Sequence, residues 1–117
     1  MVVEGSVLDA PLDDVFHALA DATRRDIVAR ALTGEHSVSA LGRAYPISLT
    51  AVQKHVAVLE RAGLVTKRRR GREQIVTTVP EALARVHVAL DELEAGWRGR
   101  IERMQEILET TSEGESR

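Results

Sequence analysis

A chain of 117 residues, 44% hydrophobic and 29% charged, is long enough for one buried core and too short for two. It contains no cysteine, which excludes disulfides, thiolate metal sites and thiol redox sensing by inventory. Met1 is followed by neither a basic start nor a sustained apolar run, so no signal peptide or membrane span is expected and a cytoplasmic protein is the simplest reading. The net charge of -2 conceals a segregation: Arg61 to Gln74 holds six basic residues against one acid, giving +5, and Asp91 to Arg117 holds eight acids against four arginines, giving -4. Local charge, not the total, governs phosphate binding.

Residues 1–11 read as an N-terminal arm. Leu12 to Ala20 carries apolar residues at 12, 15, 16 and 19, which predicts a short amphipathic helix with Asp13 and Asp14 at its positive end. A second helix follows, with Thr23 as its expected cap, Ile27, Val28, Ala31 and Leu32 as its buried stripe, and Gly34 as its end. Ser37 caps a third, short helix in which Val38 and Leu41 face inward; Tyr45-Pro46 closes it, because the residue before a proline is pushed to extended geometry. Ser48 caps a fourth helix, whose Val52, Val56 and Leu59 make one side apolar while Leu49, Thr50, Gln53 and Lys54 point away. Gly63 ends it, and the third and fourth helices together form a helix-turn-helix.

Past Leu64 the pattern becomes extended. Leu64-Val65-Thr66 and Ile75 to Val79 are rich in β-branched residues on either side of Arg70-Gly71-Arg72, which predicts a hairpin with a basic tip. Pro80 opens a long helix in which Leu83, Val86, Leu90, Leu93, Trp97, Ile101, Met104 and Leu108 recur at steps of three and four. Such a stripe, roughly 45 Å long, is too extended for so small a domain to cover alone. Thr110 to Arg117 is polar and expected to be a disordered tail, leaving 12–109 as a single domain. The fold class is mainly α with a small β-hairpin wing: a winged helix-turn-helix, dimeric through its long C-terminal helix.

In this order of elements the chain resembles the ArsR family of dimeric winged helix-turn-helix repressors. The likeness covers Leu12 to Leu108 and is carried by Ala18 to Val28 (ALADATRRDIV), Ser48 to Val65 and Trp97 to Leu108 (WRGRIERMQEIL). Metal-sensing members use a Cys-x-Cys pattern near the positions of Ser37 to Leu41, or an Asp-x-His…His-x-x-His/Glu set on the last helix. Here there is no thiolate, and His87 stands without its partners, since Arg85, Arg98 and Ile101 occupy the other ligand positions. The first and third of the quoted stretches resemble most a metal-independent branch of that family, and one imidazole cannot make a four-coordinate zinc site, so no cofactor is expected. A further departure is Tyr45-Pro46, which stands in a turn where many relatives carry Gly.

The resemblance places Gln53 and Lys54 where the family faces base edges and phosphates, and their chemistry agrees: Gln can pair bidentately with adenine, Lys with guanine or phosphate. Ser48 and Thr50 can donate to phosphates at the helix N-terminus, although Ser48 can equally be a cap only. Leu49 either touches a thymine methyl or packs in the turn. His55 is expected to be a hydrogen-bonded structural residue. Arg24 and Arg25 match a family pair expected to anchor acids or backbone first. Lys67, Arg68, Arg69, Arg70 and Arg72 form a one-sign run suited to a groove-reaching wing, and strand alternation splits it between two faces. Three aromatic residues, Phe16, Tyr45 and Trp97, are too few for a base-stacking platform, which leaves duplex DNA as the partner. No nucleophile-base set or phosphate-cradling glycine loop is present, so no enzyme is expected. The expected function is a homodimeric transcriptional regulator, by resemblance a repressor and commonly autoregulatory, on an imperfect palindromic operator with half-sites about 10 base pairs apart. The alternative is a dimeric winged-helix protein-interaction module without useful DNA affinity.

Overall fold

The computed structural model describes residues 11–115, with side chains described as far as Thr111. The arm read over residues 1–11 therefore lies, apart from Pro11, outside the described residues, as do Ser116 and Arg117. In chain order the elements are α1 (Leu12–Leu19), α2 (Ala22–Thr33), β1 (His36–Ser37), α3 (Val38–Ala44), α4 (Leu49–Arg61), β2 (Val65–Arg70), β3 (Glu73–Thr78) and α5 (Pro80–Glu115). The chain divides after Val86 into two compact units.

In the first unit, one core gathers an apolar side from every helix and from the sheet. Val15 and Ala18 of α1, Ile27, Val28 and Ala31 of α2, Val38 and Leu41 of α3, and Val52, Val56 and Leu59 of α4 meet Val65, Val76 and the first turns of α5. Leu32, expected in the α2 stripe, is half exposed instead, because the stripe turns away from the core one residue beyond Ala31. The expected cap also moves: Asp21, not Thr23, accepts the Arg24 amide at 3.0 Å, since the helix already begins at Ala22 and Thr23 lies inside its first turn. That amide holds the Asp21 carboxyl below the usual carboxylate range. Gly34 ends α2 in extended geometry rather than in a left-handed turn.

Arg24 and Arg25 close the junction between α1 and α2. The Arg24 Nε donates to the Ala18 carbonyl at 2.7 Å and Nη2 to that of His17 at 3.1 Å, while Arg25 Nη1 donates to Leu19 at 2.8 Å. The Ala18 and Leu19 carbonyls lie at the end of α1, where intrahelical partners run out, and the His17 carbonyl also accepts the Ala20 amide at 3.1 Å. Arg24 Nη1 also lies 3.3 Å from His55 Nδ1 on α4. A guanidinium cannot accept, so Nδ1 is the acceptor and a neutral His55 carries its proton on Nε2. The expected structural roles of all three residues hold.

The turn between α3 and α4 is built from Tyr45 outward. Its hydroxyl donates to Asp26 Oδ2 at 2.5 Å, and Arg30, paired with the same carboxylate at 2.7 Å, lies over its ring at 5.4 Å. Burial and the bond to Asp26 push the Tyr45 hydroxyl up to about 12, so it remains a donor throughout the physiological range. The same bond, with that from Arg30, lowers the Asp26 carboxyl; this contribution is present above the ordinary carboxylate range and is lost as pH falls through the depressed value. Ser37 Oγ and Ser48 Oγ accept the amides of Ala40 and Ala51 at 3.0 and 3.1 Å and so start the two helices. The helices touch closely at Gly42, where an added Cβ would stand 2.9 Å from Leu49 Cδ1. Alanine there is tolerable because Leu49 can rotate; Gly42→Val should cost about 1–3 kcal/mol by overpacking. Thermal denaturation should then show a midpoint several degrees lower, and an unchanged midpoint would mean that Leu49 swings clear.

Gly63, at φ 77°, ends α4 with the Leu64 amide bonded back to the Leu59 carbonyl at 3.0 Å. The sheet is antiparallel in the order β1-β3-β2, so the hairpin has a third strand, His36–Ser37, that sequence patterning did not foresee. Two residues are too few to show a period. Thr78 anchors β3 to α2 by donating its hydroxyl to the buried Val28 carbonyl at 2.8 Å. The expected basic tip is shared between strand and turn: β2 carries Arg68, Arg69 and Arg70, and Gly71 at φ 62° makes the two-residue turn with Arg72.

Pro80 starts α5 as expected. Leu83 and Val86, read as part of a partner-facing stripe, pack against the core of their own domain instead, because the first turns of α5 cover that core before the helix enters the second unit. The second unit is the remainder of that helix. It continues to Glu115, through the segment from Thr110 that polarity predicted to be disordered, with no proline to interrupt it. No helix among the described residues is long and apolar enough to cross a membrane.

Candidate nucleic-acid interface

With Val52, Val56 and Leu59 buried, the opposite side of α4 presents Thr50, Gln53 and Lys54 to solvent. Their spacing follows from the helical period, and the Ser48 cap leaves the positive end of the helix beside them. Ser48 accepts the Ala51 amide as the cap, which leaves its hydroxyl proton to donate elsewhere. Leu49 packs against Gly42 in the turn and keeps 46% of its surface exposed.

The wing meets this helix across a cleft of about 300 Å³ lined by Leu49, Gln53, Lys67, Arg72 and Gln74, among others. The register explains why. Lys67 pairs with Val76 and Arg69 with Gln74, so alternation puts these side chains on the sheet face that carries buried Val65 and Val76, the face toward α4. Arg68, opposite Ile75, and Arg70, opposite Glu73, lie on the other face. The expected split of the basic run is therefore real, and the partners of the two sets differ. On the outer face a single carboxylate oxygen of Glu35 takes Arg68 Nη2 at 3.0 Å and Arg70 Nη2 at 2.5 Å. On the inner face Lys67 reaches Glu60 only at 3.8 Å, and Arg69 Nε donates to the Gly71 carbonyl at 3.2 Å.

Glu35 and Gln74 are the residues that sequence reading missed. Gln74 was recoverable from the hairpin register, two residues before Val76 on the same face. Glu35 was not, because it stands 33 positions from Arg68 and belongs to no periodic element.

In the second unit, Leu90, Leu93, Trp97, Met104 and Leu108 are exposed and Ile101 is half-buried; Leu93 and Trp97 show 68% and 61% of their surface. Val88 and Ile107 add exposed apolar surface that the stripe did not include. Arg98 bridges to Glu94 one turn earlier on the same helix. Among the described residues, no three His, Cys, Asp or Glu side chains are grouped so as to hold a metal ion.

Comparison with known proteins agrees with this arrangement. Residues 19–68, from the end of α1 into β2, match the family described as a helix-turn-helix domain. The chain is 40% identical over 79 residues to the HTH-type transcriptional regulator Rv2034 of Mycobacterium tuberculosis (strain ATCC 25618 / H37Rv), covering 68% of this chain and 74% of that protein. Its fold is similar to the solved structure of an ArsR-like transcriptional regulator from Rhodococcus sp. RHA1, with a TM-score of 0.73, 31% identity and coverage of 82% and 91% of the two chains. A second solved structure, the ArsR family transcriptional regulator RHA00566, gives a TM-score of 0.69 at 31% identity, covering 74% and 90%. With a fold similar to those of these regulators and 31% to 40% of the aligned sequence identical, the chain belongs to the ArsR family of winged helix-turn-helix transcriptional regulators.

Proposed function

We propose that this regulator binds duplex DNA sequence-specifically as a homodimer, reading bases through Gln53 and Lys54 while Lys67, Arg69 and Arg72 engage phosphates. The observation that carries the reading is the convergence of an exposed polar helix face with a one-sign wing face on the same cleft. Base-edge pairing by Gln and Lys gives sequence preference, and the wing gives affinity regardless of sequence. Thr50 and the amides at the start of α4 would hold the backbone in register. The exposed Leu90 to Leu108 face is offered to a second copy, giving an imperfect palindrome with half-sites about 10 base pairs apart. Blocking a promoter by such binding is repression, and the protein's own promoter is the first to test, inside the cytoplasm where DNA is available. A gel shift with the DNA upstream of its own gene should give a discrete complex that outlasts competition by random duplex; competition by random duplex at equal concentration would remove sequence specificity from the reading.

Release from DNA would not depend on metals or oxidants. The chain has no thiol, and among the described residues His87, itself exposed, belongs to no group of three His, Cys, Asp or Glu side chains such as a tetrahedral site demands. Zinc, arsenite and peroxide titrated into a preformed complex should leave it intact. Stoichiometric dissociation by micromolar zinc would overturn this part of the proposal.

A further inference from the structure

The wing carries five basic residues between Lys67 and Arg72, and the two sheet faces do not share them equally. The inner face, toward α4, has Lys67 and Arg69, joined by Arg72 at the cleft, against the distant Glu60. The outer face has Arg68 and Arg70, and both guanidinium groups converge on one oxygen of Glu35, with Glu73 opposite Arg70 in the ladder. Glu35 owes its position to the fold. It immediately precedes β1, and β1 pairs with β3 so that Ser37, Ile75 and Arg68 form one row across the sheet. The acid thus reaches over β3 to two arginines of the far strand.

Carboxylate and phosphate compete for the same guanidinium donors. We propose that Glu35 restrains the wing electrostatically: by holding Arg68 and Arg70 it keeps two charges off the DNA backbone and limits sequence-independent affinity. This rests on the reading that the wing meets duplex DNA. All three side chains are about half exposed, so the clamp is weak enough for a phosphate to displace and adds little to folding stability. Its effect falls where phosphate binding counts most, on random DNA, so Glu35 raises the ratio of operator to random binding without touching a base.

The test compares wild type, Glu35→Gln, Arg68→Gln/Arg70→Gln and the triple variant on operator and random duplex across a salt series, with thermal midpoints as the check on folding. Glu35→Gln should bind random duplex roughly two- to tenfold more tightly at low salt, the range expected from freeing two exposed pairs. Its slope of log K against log salt should steepen by up to about 1.8, at 0.9 for each additional phosphate neutralised. In the Arg68→Gln/Arg70→Gln background the same substitution should change nothing. An equal rise in affinity in both backgrounds would reveal a general charge effect, and a loss of affinity would mean that Glu35 positions the wing instead; either result overturns the proposal. A wild-type protein that binds no duplex sinks the DNA-binding reading and the clamp together, whereas binding indifferent to Glu35 sinks the clamp alone.

Discussion

The double variant Leu93→Ala, Trp97→Ala should be monomeric at micromolar concentration and should lose operator affinity by two orders of magnitude or more. Both residues lie one turn apart on the second unit's helix, with most of their surface exposed within a single chain. Large apolar residues left open in a row mark a surface that a partner covers. Burial against a second copy would make each truncation cost roughly 2–5 kcal/mol of association, the usual range for large side chains cut to alanine in packed surroundings. The fold of the first unit should survive, because its core is made by Ile27, Leu41, Val52, Val56, Leu59 and Leu64, none of them on this surface. A monomer then holds one half-site. Linking two modules raises overall affinity by about 10²–10⁴ without any new contact, and that factor is what the variant gives up. Light scattering and a gel shift on the same samples decide the matter. A double variant that remains dimeric and binds like wild type would place the dimer contact elsewhere.

The limits of the stripe show what could be read from sequence and what could not. Periodicity identified every helix, because apolar spacing records which side is covered. It could not say what covers it, so Leu83 and Val86 joined Leu93 and Trp97 in one stripe although the domain's own core takes the first pair. The caps Ser37 and Ser48 were legible; at α2 the helix begins at Ala22, earlier than expected, and Asp21 caps it in place of Thr23. The arginine wing was legible in kind and in its split into faces, since alternation is local. The pairing of Arg68 and Arg70 with Glu35 was not, because a contact 33 residues away depends on the order of strands, and the strand that brings it there is two residues long. Tyr45 is held by contacts equally remote: Asp26, on α2, accepts from its hydroxyl, and Arg30 lies over its ring.

Substitutions on α4 and on the inner wing should separate recognition from attraction. Gln53→Ala and Lys54→Ala each remove donors from the exposed face of a helix whose other side is buried, so the fold is unaffected and any loss is a loss of contact. A base-edge pair contributes roughly 1–3 kcal/mol of discrimination, which converts to about 5- to 150-fold weaker binding on the operator and far less on random duplex. Lys67→Gln with Arg69→Gln should behave in the opposite way. Both side chains share the face toward α4, and neither is held by a close acid, the Glu60 contact being 3.8 Å long. Phosphates are the same on every sequence, so operator and random duplex should lose affinity in parallel, and the slope of log K against log salt should become shallower by about 1.8 for two phosphates. Binding isotherms on both DNAs at several salt concentrations distinguish the two patterns. Equal losses on the two DNAs for Gln53→Ala would mean that α4 does not read sequence, and an unmoved slope for the wing pair would return Lys67 and Arg69 to the role of solvated charges.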